Sequence, residues 1–247
     1  MSFLITSIKN ETVKRWMKLH KKKYRERYGQ FLLEGDHLVE EAIKSDWEVS
    51  ELIIREDRDI HTWQNDYRIT VVNHQVFQAL TETPAPQGVM AVINMKDNVI
   101  NTLKKLLVLD NVQDPGNVGT MIRTADAFNY DGVILGKGTV DLFNDKVIRA
   151  TQGSLFHIPV IKRDLRTLLP ELKQNGLTVI ASTLEESVPL NHIDPMDNFA
   201  IIVGNEGSGI AQDIQELSDI RVKIPIPGQA ESLNVSIAAA IVMYHCQ

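Results

Sequence analysis

Apolar runs and amphipathic stretches alternate along the chain. Phe31-Leu32-Leu33 reads as a short buried strand, Glu34-Gly35-Asp36 as a turn and cap, and His37–Lys44 as a helix. Val49–Ile54 and Ile69–Val72 read as strands. Asn73 caps a short helix over Gln75–Leu80, and Gly88–Ile93 is a strand behind the Pro84-Ala85-Pro86 turn. This predicts a small α/β domain over residues 1–95. Residues 96–104 are polar and mixed, as a linker would be, and a second domain is expected over 105–247.

The second half repeats the rhythm with more apolar strands. Leu106–Leu109, Gly132–Leu135, Ile158–Ile161, Leu177–Ala181, Phe199–Val203 and Arg221–Ile224 read as strands. Helices are expected from Asn117, as cap, through Asn129, over Lys146–Gln152, Leu165–Gln174 and Gly209–Leu217, and from Ser232 to the end. Apolar strands separated by helices predict an α/β fold with a mostly parallel sheet covered on both faces. Ligands of such sheets sit at the carboxyl ends of the strands. That directs attention to three loops, Asp110–Gly116, Gly204–Gly209 and Pro225–Ser232.

Composition narrows the class. With 23% charged and 43% hydrophobic residues over 247 positions, the chain is an ordinary globular protein, not a disordered or collagenous one. A single cysteine, Cys246, excludes an internal disulfide and a cysteine-rich metal site, and it fits a reducing compartment such as the cytoplasm. The seven histidines (20, 37, 61, 74, 157, 192 and 245) show no metal-ligand spacing, so no metal is expected. The longest apolar run, Ile237 to Tyr244, is about half of the roughly 20 residues a membrane span needs. The start, Met1-Ser2-Phe3-Leu4-Ile5, turns charged at once and does not read as a secretory signal.

Charge is unevenly spread. The net charge is −6, yet residues 1–30 hold nine basic side chains against Glu11 and Glu26. Lys14, Arg15, Lys18, Lys21, Lys22, Lys23 and Arg25 are among them. Val13, Trp16, Met17, His20 and Tyr24 recur at helical spacing, which predicts a helix with one packed face and one basic face. A cationic patch on an acidic protein points to a local footprint for a phosphate backbone. The same pattern also fits a merely solvated helix face.

The three loops carry the candidate chemistry. The first reads Asp114-Pro115-Gly116-Asn117-Val118-Gly119, with Arg123 a turn further on. Gly116, Gly119 and Arg123 are expected to fall together, off the apolar stripe. The second, Val203-Gly204-Asn205-Glu206-Gly207-Ser208-Gly209, follows a buried strand, and its amides could cradle an anion or a cofactor at a helix start. It fits neither GxGxxG nor a P-loop, and Gly136-Lys137-Gly138-Thr139 fails the P-loop pattern too. In the third, Ile224-Pro225-Ile226-Pro227 is followed by Glu231-Ser232-Leu233-Asn234-Val235, where Ser232 or Asn234 caps the last helix. Ala238-Ala239-Ala240 in that helix allows either a close internal contact or a dimer seam.

Together these segments resemble the SpoU/TrmH family of RNA ribose 2′-O-methyltransferases, in the SPOUT superfamily. Asp114–Gly119 with Arg123-Thr124-Ala125 looks like the first family motif, Val203–Gly207 like the second, and Ile224–Ile226 with Glu231–Val235 like the third. Thr151 stands where serine is expected. Residues 1–95 resemble a ribosomal L30e-type RNA-binding domain, on Phe31–Gly35 and Gln87-Gly88-Val89. The resemblance implies a trefoil-knotted C-terminal α/β domain, a homodimer formed through it, and S-adenosylmethionine as cofactor. It implies Arg123 as the catalytic residue, with Asn117, Glu206, Ser232 and Asn234 orienting it and the ribose. Thr183, Gly204, Gly207, Ile224, Ile226 and Leu233 would surround the cofactor. The substrate would be RNA, with ribosomal RNA favoured by the N-terminal domain. Transfer RNA, base methylation, or an RNA binder on an inactive fold remain the other readings.

Overall fold

Leu106–Leu109 and Phe199–Ile202 are wholly buried, so these strands lose water on both faces. A parallel strand under that constraint is an unbroken apolar run rather than an alternating one. The computed structural model describes residues 4–60, 66–184 and 186–246. Met1, Ser2 and Phe3 of the start, and His61, lie outside the described residues. The chain forms two compact units: Met1–Lys96 with Asp141–Phe156, and Asp97–Val140 with His157–Gln247.

The first unit is built on a five-stranded sheet. Its strands are β1 (Leu4–Ile5), β2 (Gln30–Glu34), β3 (Val49–Arg55), β4 (Ile69–Val72) and β5 (Val89–Asn94), in the order β1-β4-β3-β5-β2. β5 runs antiparallel to both its neighbours. Helices α3 (Asp36–Lys44) and α4 (His74–Leu80) fall close to where the sequence predicts, and Asn73 caps α4 by accepting from Val76 N. The helix Asp145–Thr151 (α6) belongs to this unit and packs on β2. Its flanks complete an aromatic cluster, with Phe143 4.7 Å from Phe31 and Phe156 5.6 Å from Trp47 between ring centroids.

The single basic helix expected near the start is two, α1 (Glu11–Lys18) and α2 (Lys22–Tyr28). The cause of the break is Arg25, whose Nη1 takes the carbonyls of Leu19 and His20 at 2.9 and 2.8 Å. Val13, Trp16 and Leu19 pack into a core with Ile53, Phe77 and Met90. Met17, expected on that face, is exposed.

The second unit holds a sheet of seven parallel strands. They are β6 (Lys105–Leu109), β7 (Gly132–Leu135), β8 (Val160–Lys162), β9 (Thr178–Ser182), β10 (Val188–Pro189), β11 (Phe199–Val203) and β12 (Ile220–Lys223). Their order is β10-β12-β9-β11-β6-β7-β8. Alternate residues such as Val108, Val179 and Ile202 meet α7 (Leu165–Gln174) and Ile214 of the short α8 (Gln212–Gln215). α5 (Pro115–Ala127) packs on β7, and α9 (Val235–Cys246) packs on α5, β9 and β11. The chain leaves β6 for β7 on one side and returns to β11 on the other. The carboxyl ends of β6 and β11 are therefore the switch point where such sheets bind ligands. Among the described residues, no helix is long and apolar enough to cross a membrane, and no three His, Cys, Asp or Glu side chains could hold a metal ion.

Candidate active site

Asp114 and Asn117 both have helix-capping side chains, and the structure uses them differently. Asp114, with Pro115 behind it, is the cap of α5, and its carboxylate accepts from Asn117 N at 2.8 Å. The expected cap, Asn117, lies instead inside the first turn and is buried. Its side chain is thereby released to bridge the loops. Nδ2 donates to Glu206 Oε1 at 3.1 Å, while Oδ1 accepts from Asn234 Nδ2 at 3.0 Å. Asn234 in turn accepts from Ser236 N and Oγ at 2.9 and 2.7 Å, so Asn234 rather than Ser232 opens α9. The helix accordingly starts at Val235, not at Ser232.

Glu206 is the hub. Its carboxylate also accepts the backbone N–H of Gln113 at 3.2 Å and of Asp114 at 3.0 Å. Burial is the largest single influence on this carboxyl and acts to raise its pKa. The donors outweigh it, Asn117 first and the backbone amides after it, and hold Glu206 below the usual carboxylate range. Glu206 is therefore ionised at neutral pH, with its lone pairs occupied by donors. That suits a strut between loops, not a proton acceptor.

The glycine-rich loop does not lead straight into a helix as expected. Asn205 and Gly209 exchange backbone hydrogen bonds at 2.9 Å, closing a turn. Asn205 Oδ1 takes the amides of Gly207 and Ser208 at 3.0 Å. Those amides are spent inside the loop, so they form no free anion cradle, and the helix shrinks to α8. Gly204 is needed here because a Cβ would lie 2.2 Å from the backbone of Gly209 and Ile210. Asn205 and Asp110, to which the sequence pattern assigns no role, fix the loop. Asn205 Nδ2 donates to Asn111 O at 3.0 Å, and buried Asp110 accepts Ala211 N at 2.9 Å. The signal for both was their place at a strand end.

Arg123 lies on the exposed side of α5 with Gly116 and Thr120, whereas Gly119 is buried with the apolar stripe. Among the described residues, no hydrogen bond or ion pair engages the Arg123 guanidinium. Ser232 and Leu233 are exposed, and Ile224 and Ile226 are half-buried. Among the described residues, the backbone groups of Ile224, Ile226 and Leu233 make no hydrogen bond. Thr183 follows β9, its N–H bound to Val222 O at 2.9 Å.

The cationic candidates separate. Lys18, Lys21 and Lys23 are exposed, with no carboxylate at ion-pairing distance among the described residues. Lys14 pairs with Glu11, Lys22 with Glu26, and Arg15 donates to Gln30 Oε1 at 2.8 Å. Arg25 does not belong in a phosphate footprint. It is 6% exposed, and its fork is taken up by two carbonyls and by Asp141.

Residues 104–244 match the SpoU rRNA Methylase family, and residues 10–91 match the MRM3-like substrate binding domain. The 23S rRNA (guanosine(2553)-2′-O)-methyltransferase RlmP of Bacillus subtilis is 46% identical over 98% of each chain. An AdoMet-bound rRNA methyltransferase from Sinorhizobium meliloti has a TM-score of 0.89 at 29% identity, covering 99% of this chain and 97% of its own. The SpoU methyltransferase AviRb of Streptomyces viridochromogenes, in complex with AdoMet, has a TM-score of 0.85 at 26% identity, covering 96% and 97%. With the three loops joined through Asn117 at the carboxyl ends of β6 and β11, and this likeness spanning the whole chain, the protein belongs to the SpoU rRNA methylase family.

Proposed function

We propose that this protein transfers the methyl group of S-adenosylmethionine to a ribose 2′-hydroxyl of ribosomal RNA. The observation that carries the reading is the hydrogen-bonded line Glu206–Asn117–Asn234, which ties the three motif loops into one site. RlmP and the Sinorhizobium meliloti protein are methyltransferases of ribosomal RNA, AviRb is a SpoU methyltransferase, and the last two are solved with AdoMet.

The residues fit that cofactor. Gly204 allows a tight turn, and the unbonded backbone groups of Ile224, Ile226 and Leu233 can receive an adenosyl group, with Thr183 and Gly207 at the rim. When bound, the cofactor supplies a methyl group on a cationic sulfur. Arg123 remains protonated, because a guanidinium does not lose its proton in proteins. It clamps a phosphate of the RNA and stabilises the alkoxide that develops on the ribose, whose proton leaves toward a phosphate oxygen. Asn117, Glu206 and Asn234 position the loops around it, and Ser232 faces the ribose. The acceptor is a looped or single-stranded nucleotide, since its ribose must be splayed out.

The exposed cations Lys18, Lys21 and Lys23, with Lys14, Arg15 and Lys22, form the RNA footprint of the first unit. Ile237, Ile241 and Tyr244 leave an exposed apolar face on α9, which supports a homodimer through this helix. The return of α9 onto α5 and β11 fits a trefoil-knotted end. A free, buried Cys246 and a ribosomal substrate fit a cytoplasmic protein. The test is nucleoside mass spectrometry of ribosomal RNA from cells with and without the protein. One 2′-O-methylated nucleoside should disappear, and an unchanged profile would reject the reading.

A further inference from the structure

α2 is a short helix in which Arg25 alone is buried, yet it carries two tyrosines. Tyr28 touches the core only as a partly buried neighbour, and Tyr24 is outside it. The rings are parallel, with centroids 6.1 Å apart and planes 18° from one another. Cations approach this pair. Lys18 Nζ lies 5.7 Å from the Tyr24 centroid, and the guanidinium carbons of Arg15 and Arg27 lie 5.3 and 5.8 Å from that of Tyr28. Arg15 is pinned by Gln30, so its planar group is held facing the ring. Lys18, Lys21, Lys23 and Arg27 are exposed and have no carboxylate at ion-pairing distance among the described residues.

We propose that Tyr24 and Tyr28 form a base-stacking platform for an unpaired stretch of the RNA substrate, with the surrounding cations holding its phosphates. The proposal rests on the first unit binding RNA and adds which groups grip it and in what form. Every base has a π-face, so stacking is sequence-tolerant and favours single strands, and it requires bases rather than charge. An acidic peptide would satisfy the lysines but make no use of two parallel rings. Lys18 and Arg27 can turn outward to phosphate while a base takes the ring face they leave, and Arg15 stays held against Tyr28.

The division of labour gives the test, made on the full chain with a fluorescent single-stranded 12-mer of oligoadenylate and an abasic 12-mer of the same backbone. Stacking contributes about 1–3 kcal/mol per base, so Tyr24→Leu with Tyr28→Leu should weaken oligoadenylate binding at least about tenfold. The slope of affinity against salt should stay unchanged, because no phosphate contact is lost. Lys18→Gln with Lys21→Gln and Lys23→Gln should flatten that slope. The abasic oligomer should bind the wild type and the leucine variant alike. Tyr24→Phe with Tyr28→Phe should retain wild-type affinity, which separates loss of stacking from loss of fold. If the leucine variant binds oligoadenylate as the wild type does while the lysine variant loses slope, the platform is overturned and the RNA footprint stands. If wild type binds neither oligomer at low salt, the footprint and the platform both fall.

Discussion

The Asn117 side-chain amide donates to the Glu206 carboxylate across 89 residues of sequence, at 3.1 Å. This bond joins the loop after β6 to the loop after β11, and Asn234 extends it to the start of α9. The three loops are therefore one cooperative assembly, and weakening one member should loosen the others.

Glu206 links that assembly to pH. Its pKa is lowered in the fold, so its contribution to stability is present above the unfolded carboxylate value, about 4.5. That contribution is lost as pH falls through the lower folded value. Glu206→Gln should remove this part of the acid sensitivity. Urea denaturation at pH 7 and pH 4 measures it. The wild type should lose more stability between the two than the variant does, and parallel losses would contradict the strut.

Arg25 and Asp141 should behave as structure, not as RNA contacts. The pair is largely buried, and Arg25 also closes the turn between α1 and α2. Removing one partner of a buried pair costs about 3–5 kcal/mol, because the other charge is stranded. Asp141→Asn should therefore lower the denaturant midpoint sharply. The salt slope of RNA binding by the folded variant should match wild type, since Asp141 meets no phosphate. A changed slope with unchanged stability would reverse the assignment.

The apolar face of α9 predicts self-association. Ile241→Asp together with Tyr244→Asp places two charges on a face that is exposed in the single chain, so the fold should survive. Light scattering should report a dimer for wild type and a monomer for the variant. A wild-type monomer at micromolar concentration would remove the dimer from the proposal.

Much of the fold is legible in the chain because its signals are local. Leu106–Leu109 and Phe199–Val203 are apolar throughout, and only a doubly covered strand asks for that. What escaped depends on contacts distant in sequence. Arg25 breaks the basic helix by reaching back to two carbonyls and across 116 residues to Asp141. Asn205 ties the glycine-rich loop into a closed turn by donating to Asn111 O, 94 residues away, so no helix begins at Gly209. Asp114 and Asn117 are equally good caps by residue type. The proline after Asp114 was the local sign that it is the true one, since proline is favoured at the first helical position.

Arg123 carries the last prediction. Its guanidinium is exposed on α5, away from the buried stripe, and has no hydrogen-bond or ion-pair partner among the described residues. A replacement should therefore leave the fold and cofactor affinity intact. Arg123→Lys keeps the charge but loses the planar fork that grips two phosphate oxygens at once. If Arg123 clamps a phosphate and stabilises the developing alkoxide, both Arg123→Lys and Arg123→Ala should slow methyl transfer. Removing one preorganised donor of this kind costs about 10² to 10³ in rate. Single-turnover methyl transfer measures it, with cofactor affinity followed by calorimetry on the same samples. A lysine variant at full rate would mean that charge alone suffices, and the two-point grip would have to be given up. An alanine variant at full rate would take Arg123 out of the chemistry and leave it a solvated arginine on a helix.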